Sequence, residues 1–422
     1  LVQSDLEGLD FGQDPRKVDY AKVFNNRRPV LEKAVKRFLE VDDLAAYEKF
    51  VADNSSWLEV FVEYMAIKEY FDLKAWTEWP DAALRRREAA SLAHYREKLA
   101  DRLTYHRVTQ YLFFKQWLEL KAYANEHYIE IVGDMPIYVA ADSCDVWAQP
   151  HFFKTDELGQ PTCVAGCPPD EFSATGQLWG NPIYDWEAMD KDGYSWWIKR
   201  LRESFKIYDV VRIDHFRGFE SYWEIPAGSD TAAPGKWVKG PDYALFKAVK
   251  EELGELNIIA EDLGFMTDEV IALREKTGFP GMKVIQFAFN PESESIDSPH
   301  LAPNNSVMYT GTHDNNTVLG WYRDEIDDAT REYMAQYTNR KEYETVPHAM
   351  LRTIFSSVSF MAIATMQDLL ELDGSARMNY PSTIGGNWSW RMTADDLDPV
   401  IEAELYSLTK TYRRLNKNLL KK

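Results

Sequence analysis

Six short apolar segments, rich in Ile and Val, recur between residues 128 and 370 of the 422-residue chain, and they constrain the fold more than any other feature. Each segment ends in charged or polar residues and leads into a loop rich in Gly, Pro or Asn. The segments are YIEIVGDMPIYV (128–139), IYDVVRIDHF (207–216), LNIIAEDLG (256–264), GMKVIQFAF (281–289), NSVMYTGTHDN (305–315) and VSFMAIATMQDLL (358–370). Helical stretches such as 242–253 and 268–277 lie between them. Strands that alternate with helices predict an α/β fold with a parallel sheet and right-handed crossovers.

The positions of the carboxylates favour a barrel over an open sheet. An open doubly wound sheet also alternates strands and helices, but no G-x-G-x-x-G opens a helix here and no G-x-x-x-x-G-K-[ST] is present. Carboxylates instead follow several different strands, which is the arrangement of a (β/α)8 barrel site. We therefore predict an α/β fold of the TIM-barrel type, with six of its eight strands visible in the sequence.

The first 125 residues differ from the rest of the chain in the spacing of their apolar residues. Apolar side chains recur there at helical spacing over 30–39, 57–71 and 108–124. We predict a mostly helical insertion subdomain over 1–125 and a catalytic (β/α) barrel over 126–422. The stretch 140–204 is dense in Gly, Pro and Trp and has little periodicity, so we predict an irregular lid there, because connections this long are usually functional.

Composition excludes several classes of partner. Lys and Arg total 48 against 68 Asp and Glu, a net charge of −20, which repels phosphate backbones and anionic lipids. We therefore expect neither nucleic acid nor a membrane as a partner. The three cysteines are odd in number and indicate a reducing, cytoplasmic environment rather than a disulfide framework. The 14 Trp residues are enough for a core and for flat platforms that suit sugar rings, and composition does not decide between these uses.

Arg212 and Asp214 stand at the end of one predicted strand, in VVRIDHF. The period of two along a strand places both side chains on the same side. A guanidinium beside a carboxylate favours its ionised form, which a nucleophile requires, although a single R-x-D pair is more often a structural ion pair.

Two later strands end in further candidates. Glu261 follows three apolar residues, as a general acid in a semi-enclosed cleft would, while Asp262 alternates to the other side and is predicted to be structural. His313 and Asp314 follow another strand. A histidine there can act as a base, but we expect His313 rather to bind a substrate hydroxyl as a neutral or cationic hydrogen-bond donor. Carboxylates also bind Mg²⁺, but Arg212 already supplies a cation beside Asp214, so we predict no metal and no cofactor.

Five long motifs resemble those of a known family. VVRIDHF, AEDLG, YTGTHDNNT, GDMPIYVAADSCDVW and GCPPDEFSATGQLWGNPIY are similar, in order and spacing, to those of the amylomaltases, the 4-α-glucanotransferases of glycoside hydrolase family 77. The closing RMNYPSTIGGNWSWR and the helical opening agree with this, although Ser382 stands where many relatives have Gly. The likeness spans nearly the whole chain.

The resemblance implies a barrel of the α-amylase kind and assigns roles to its residues. Asp214 would be the nucleophile, Glu261 the general acid/base and Asp314 the stabiliser of the transition state. The substrate-binding positions would be Arg212, His313, Asp134, Asp170, Gln177, Trp179 and His215. Asp134 would orient the Arg212–Asp214 pair, and the loop with Asp170, Gln177 and Trp179 would cover the bound glucan. Family members carry two strands ahead of the helical insertion, so we expect this chain to be a fragment whose N-terminal strands belong to the same longer polypeptide.

The activity implied by the resemblance is transfer of α-1,4-glucan segments to the 4-hydroxyl of an acceptor glucan. The substrates would be maltooligosaccharides and starch or glycogen-type α-glucans, and a retaining double displacement would place the Asp214 and Glu261 carboxyl groups about 5–5.5 Å apart. Two alternatives stay open. One is an α-glucan hydrolase with the same three carboxylates, and the other is a non-catalytic glucan-binding fragment.

Overall fold

A computed structural model of the protein describes residues 1–40, 43–169 and 173–416. In chain order, the helices are α1 (Tyr20–Leu39), α2 (Ala45–Tyr70), α3 (Ala82–Arg85), α4 (Ala89–Lys98), α5 (Ala100–Glu126), α6 (Cys144–Ala148), α7 (Trp186–Lys191), α8 (Ser195–Ile207), α9 (Tyr243–Leu253), α10 (Asp268–Thr277), α11 (Val318–Gly320), α12 (Asp328–Thr338), α13 (Val346–Ser356), α14 (Met366–Leu369) and α15 (Pro399–Thr411). The strands are β1 (Val132–Met135), β2 (Cys163–Cys167), β3 (Gln177–Pro182), β4 (Val210–Ile213), β5 (Ser221–Pro226), β6 (Lys236–Lys239), β7 (Ile258–Ala260), β8 (Gly281–Val284), β9 (Ser306–Tyr309) and β10 (Met361–Ile363).

Each of the six apolar segments contains one strand, namely β1, β4, β7, β8, β9 and β10. Strands β1 and β4 pair in parallel, with Asp134 opposite Arg212. Strands β7, β8, β9 and β10 are parallel neighbours in that order. The helix predicted over 268–277 is α10 itself, and α9 begins one residue after the predicted start. The predicted parallel α/β arrangement is confirmed.

The chain divides into two compact units. The first comprises Pro29–Ile258 and Met266–Thr277, together with Leu1. The second comprises Val2–Arg28, Ile259–Phe265 and Gly278–Lys422. The predicted subdomains over 1–125 and 126–422 stay a prediction.

A four-stranded antiparallel sheet in the first unit has the strand order β3-β2-β5-β6. Two of its strands, β2 and β3, lie in the stretch 140–204, which also contains α6 and α7 and most of α8. Buried aromatic rings pack against one another in the same unit, with Trp197 and Phe219 centroids 5.2 Å apart and Phe219 and Phe246 centroids 5.1 Å apart. Burial of such large rings is the dominant source of stability in a core.

The second unit has an apolar core of its own, whose fully buried members include Ile285, Met308, Val318, Met350 and Ile354. In the same unit, the N-terminal segment is joined to the C-terminal part of the chain by backbone and ionic contacts. The Val18 N–H donates to the Ser389 carbonyl at 2.7 Å, and the Arg16 guanidinium lies 2.8 Å from the Asp396 carboxylate. The contact from Arg16 to Asp396 closes a loop of 380 residues.

Cys144, Cys163 and Cys167 are not joined in disulfides in the part of the chain that the structure describes. Within the described ranges, no helix combines the length and the apolar character that crossing a membrane would require.

Candidate active site

Arg212 joins two carboxylates at the ends of β1 and β4. Its guanidinium lies 2.7 Å from Asp134 Oδ1 through Nη1 and 2.9 Å from Asp214 Oδ1 through Nη2. Arg212 is buried, whereas both carboxylates are partly exposed. The predicted placement of Arg212 beside Asp214 is confirmed. Because one cation faces two carboxylates, the cluster keeps a net negative charge with which it can attack or stabilise an electron-poor carbon.

The backbone of Asp214 is fixed on both sides. Its N–H donates to the Met135 carbonyl at 3.0 Å, which continues the β1–β4 pairing by one residue. The chain then turns at His215, which has a left-handed backbone with φ of 53°, into a short helical turn over Phe216–Phe219. Both phenylalanine rings are fully buried, so they anchor the turn. The Asp214 carboxylate is therefore presented from a rigid strand end.

An exposed indole lies beside this strand end. The Trp179 ring, on β3, meets the His215 ring edge to face, with centroids 4.8 Å apart. Its Nε1 donates to Gln177 Oε1 at 3.1 Å, and 36% of the residue is exposed. Asp170, the third residue predicted in this loop, lies outside the described residues. Trp179 thus offers a flat apolar surface close to Asp214, and Gln177 fixes the direction of its indole N–H.

His215 is held in its neutral form. Burial, aided by the nearby Arg217 guanidinium, lowers the pKa of His215 to about 4. In the unfolded chain this histidine has an ordinary pKa of about 6.5. Between pH 4 and pH 6.5 the histidine is therefore protonated in the unfolded chain but neutral in the folded protein. Stability is consequently lost as the pH falls through this window.

When the pH falls from 7 to 4.5, the free energy of unfolding should decrease in both the wild type and the His215→Asn variant. We expect the decrease to be about 2 kcal/mol smaller in the variant, which lacks this histidine. Asparagine tolerates the left-handed backbone at this position. Urea denaturation at the two pH values measures the difference, and the same substitution at the exposed His127 is the control. Equal pH dependence in the wild type and His215→Asn would contradict the prediction.

In the second unit, Glu261 directly follows the carboxyl end of β7. Its Oε1 accepts a hydrogen bond from the Leu263 N–H at 2.8 Å, which orients the carboxyl group. The neighbouring Asp262 is buried and accepts from the Met282 N–H at 2.7 Å. Asp262 thus ties the end of β7 to β8, in agreement with the structural role predicted for it.

Asp314 lies in a network that sequence patterns did not identify. His313 Nε2 lies 3.4 Å from Asp314 Oδ2, while Asn379 Nδ2 donates to Asp314 Oδ1 at 2.6 Å. Arg377 donates to the Asp314 carbonyl at 2.7 Å. The Trp388 ring lies 5.1 Å from the His313 ring and is 46% exposed. Asp314 is therefore oriented by an amide more than 60 residues away, and a second exposed indole lies next to it.

The motif RMNYPSTIGGNWSWR contains Arg377, Asn379 and Trp388, and it was the only sequence signal for them. Taken by itself, the motif gives no chemical reason to pair these residues with Asp314. Within residues 1–40, 43–169 and 173–416, no group of three or more His, Cys, Asp or Glu side chains is arranged to hold a metal ion.

Comparison with known proteins gives consistent matches. Residues 2–397 match a family model described as 4-alpha-glucanotransferase, glycoside hydrolase family 77. The 4-alpha-glucanotransferase of Streptococcus pneumoniae is 79% identical over 420 residues, which cover 100% of this chain and 83% of that protein. The 4-alpha-glucanotransferase of Clostridium butyricum is 44% identical over 416 residues, 98% of this chain and 85% of that protein.

A similar structure is that of the amylomaltase from Streptococcus agalactiae, solved in complex with acarbose. It superposes with a TM-score of 0.96 at 47% identity and covers 99% of this chain and 84% of that one. This match confirms the predicted fold class, a parallel α/β fold of the barrel type.

Proposed function

The chain belongs to the 4-alpha-glucanotransferase family, glycoside hydrolase family 77, as its motifs predicted, and from this premise we propose how its residues carry out the transfer. It is an enzyme of the 4-alpha-glucanotransferase type. The observation that carries our proposal is the salt-bridged Asp134–Arg212–Asp214 cluster, with Asp214 at the carboxyl end of a parallel strand.

In the first step we propose, an Asp214 carboxylate oxygen attacks the anomeric carbon of an α-1,4-glucan. The bond from that carbon to the leaving oxygen breaks, and Glu261 gives its proton to this oxygen. The product is a β-glucosyl ester on Asp214 and a shortened glucan with a free 4-hydroxyl.

In the second step, the 4-hydroxyl of an acceptor glucan enters and Glu261 removes its proton. The acceptor oxygen attacks the same anomeric carbon and displaces the Asp214 carboxylate, so two inversions give net retention. Asp314, oriented by Asn379, would accept hydrogen bonds from hydroxyl groups of the distorted sugar, which strengthen in the oxocarbenium-like transition state.

Maltooligosaccharides and starch or glycogen-type glucans are the substrates that fit these steps. Water competes with the acceptor at about 55 M, so transfer prevails only if the acceptor is held in place, where effective molarities reach about 10⁵ M or more. The exposed indole of Trp179 is suited to hold a sugar by its apolar face.

Incubation with maltotriose tests the proposed transfer. Transfer converts two maltotriose molecules into a longer and a shorter oligosaccharide with no net gain of reducing ends, whereas hydrolysis adds one reducing end for every bond cut. Glucose together with maltopentaose, at a constant number of reducing ends, is the expected result. Reducing ends that rise in step with glucose would favour the α-glucan hydrolase instead.

We expect the Trp179→Ala variant to show an approximately tenfold lower ratio of transfer to hydrolysis, the scale of one lost aromatic contact. Products from maltotriose, separated by chromatography, give the ratio. Trp237→Ala is the matched control, because Trp237 is 37% exposed, close to the 36% of Trp179, and lies on β6 of the same sheet. If both variants keep the wild-type ratio, Trp179 does not discriminate between acceptor and water.

A further inference from the structure

The loop that carries His313 and Asp314 is anchored by two buried side chains from outside it. The loop runs from Thr310, just after β9, to Thr317, just before α11. Gln286 is one anchor: its Nε2 donates to the Thr310 carbonyl and to the Asn316 carbonyl, both at 3.0 Å. A single amide group thus joins the two ends of the loop.

Asp368, on α14, is the second anchor. Its Oδ2 accepts from Thr310 Oγ1 at 2.6 Å, and its Oδ1 accepts from the Val318 N–H at 2.7 Å. The residue is 1% exposed, so a substrate cannot reach it. Its own N–H donates to Thr365 Oγ1 at 3.2 Å, which caps α14. Burying a carboxyl group costs free energy unless hydrogen bonds offset it, and here those bonds come from Thr310, at the start of the loop, and from Val318, just after its end.

Hydrogen bonds inside the loop extend this anchoring to Asp314. Asn315 Oδ1 accepts from the Thr312 N–H and from Thr312 Oγ1, both at 2.9 Å. Thr312 Oγ1 in turn accepts from the Asp314 N–H at 3.2 Å. The position of the Asp314 backbone therefore depends on the loop shape that Asp368 and Gln286 hold.

From this geometry we infer that Asp368 is a positioning residue for the transfer reaction, which holds the Asp314 loop in the shape that stabilises the transition state. The inference rests on the role proposed for Asp314. A group that stabilises a developing charge is effective only when it is fixed in advance, so a small displacement of Asp314 lowers kcat more than it changes substrate binding.

The Asp368→Asn variant tests this inference. An asparagine keeps the volume, but its NH₂ group can only donate. Facing Val318, it loses the bond from that N–H; facing Thr310, it must donate to Oγ1, so the Thr310 hydroxyl proton loses the acceptor that it has in the wild type. We expect kcat for maltotriose to fall about 10- to 100-fold with KM changed less than about threefold. Asp297→Asn is the matched control: Asp297 is also a buried aspartate that accepts from a backbone N–H, that of Val284, but it has no bond to this loop. Its kcat should stay within about threefold of the wild type.

Fluoride release from an activated donor, α-maltosyl fluoride, adds a measurement that a general loss of stability would not change. With α-maltosyl fluoride the leaving group needs no proton, but the sugar still passes through an oxocarbenium-like transition state. Asp368→Asn should therefore stay slow in fluoride release, measured well below its unfolding temperature. Wild-type fluoride release or wild-type kcat in the folded variant, or an equal loss in Asp297→Asn, would overturn the inference.

Two more variants keep the outcomes separate. If Asp368→Asn does not fold, Thr310→Val replaces by a methyl group the hydroxyl that donates to Asp368 and that also accepts from the Thr365 N–H at 3.3 Å. A several-fold lower kcat is expected, and an unchanged kcat would count against the inference. Asp314→Asn tests the proposed function itself. If Asp314→Asn keeps wild-type kcat, the role proposed for Asp314 is wrong, whereas an inactive Asp314→Asn beside a fully active Asp368→Asn overturns only the positioning role.

Discussion

Replacing Asp214 by asparagine is expected to lower kcat for maltotriose disproportionation by at least about 10³-fold, the scale of removing a covalent nucleophile. Asparagine keeps the shape of the side chain, and its oxygen can still accept from Arg212, which lies 2.9 Å from the present carboxylate. It cannot form the glucosyl ester, however, because the amide is a poor nucleophile. The fold should therefore survive while the chemistry is lost, and kcat from initial rates together with a thermal melt measures both.

Asp134→Asn is the matched control, because Asp134 contacts the same guanidinium at 2.7 Å. Its loss should lower kcat far less than the loss of Asp214, since it only orients the pair. The Asp214→Ala variant adds a stereochemical test. With α-maltosyl fluoride and azide, azide attacks the anomeric carbon, fluoride leaves, and a single inversion gives β-maltosyl azide. An Asp214→Asn variant with more than about 1% of wild-type kcat, or an azide product of α configuration, would contradict the assignment of Asp214.

Replacing Glu261 by glutamine is expected to lower kcat for maltotriose by about 10²- to 10⁴-fold, the range for loss of a general acid/base. Glutamine can still accept the hydrogen bond from the Leu263 N–H, now 2.8 Å from Oε1, so the backbone after β7 should be unchanged. It cannot protonate the leaving oxygen or deprotonate the acceptor. With α-maltosyl fluoride the first deficiency disappears, so a burst of fluoride should precede slow turnover.

The Glu261→Ala variant gives the complementary stereochemical result. With α-maltosyl fluoride as the donor, the ester on Asp214 forms without a general acid. Azide needs no general base and can displace Asp214 from this ester, so two inversions should give α-maltosyl azide, and azide should restore the rate of turnover. Opposite anomers from the Asp214→Ala and Glu261→Ala variants would separate the two roles in one assay. No burst and no azide rescue in the Glu261 variants would remove Glu261 from the proposed mechanism.

The parallel strands could be predicted because their signal is local. Each is a run of apolar residues closed by a polar one, and the spacing that puts Arg212 beside Asp214 follows from the pleat of a single strand. Both ends of α10 were also predicted correctly from the sequence. By contrast, strands β2 and β3 contain Gly166 and Gly180, and the register of their pairing shifts between Val164 and Gly166, so neither shows a clean alternation.

The surroundings of the candidate acids were harder to predict than the acids themselves. Asn379 reaches Asp314 across 65 residues, and Asp368 reaches Thr310 across 58. Side chains at such separations come into contact only through the tertiary fold of the strands and loops between them. The periodicity of a single sequence contains no information about these contacts. The contact of Trp179 with His215 also depends on a left-handed turn at His215, which a residue other than glycine seldom adopts.

The joining of residues 16–18 to residues 389–396 has a consequence for synthesis on the ribosome. The unit that holds Asp314 combines the opening of the chain with its last part, whereas most of the other unit is continuous from Pro29 to Ile258. The unit that contains Asp214 can thus begin to fold while later residues are still being synthesised. Residues 16–18 cannot make these contacts until residue 396 has been synthesised, and closing so long a loop adds an entropic cost to that step.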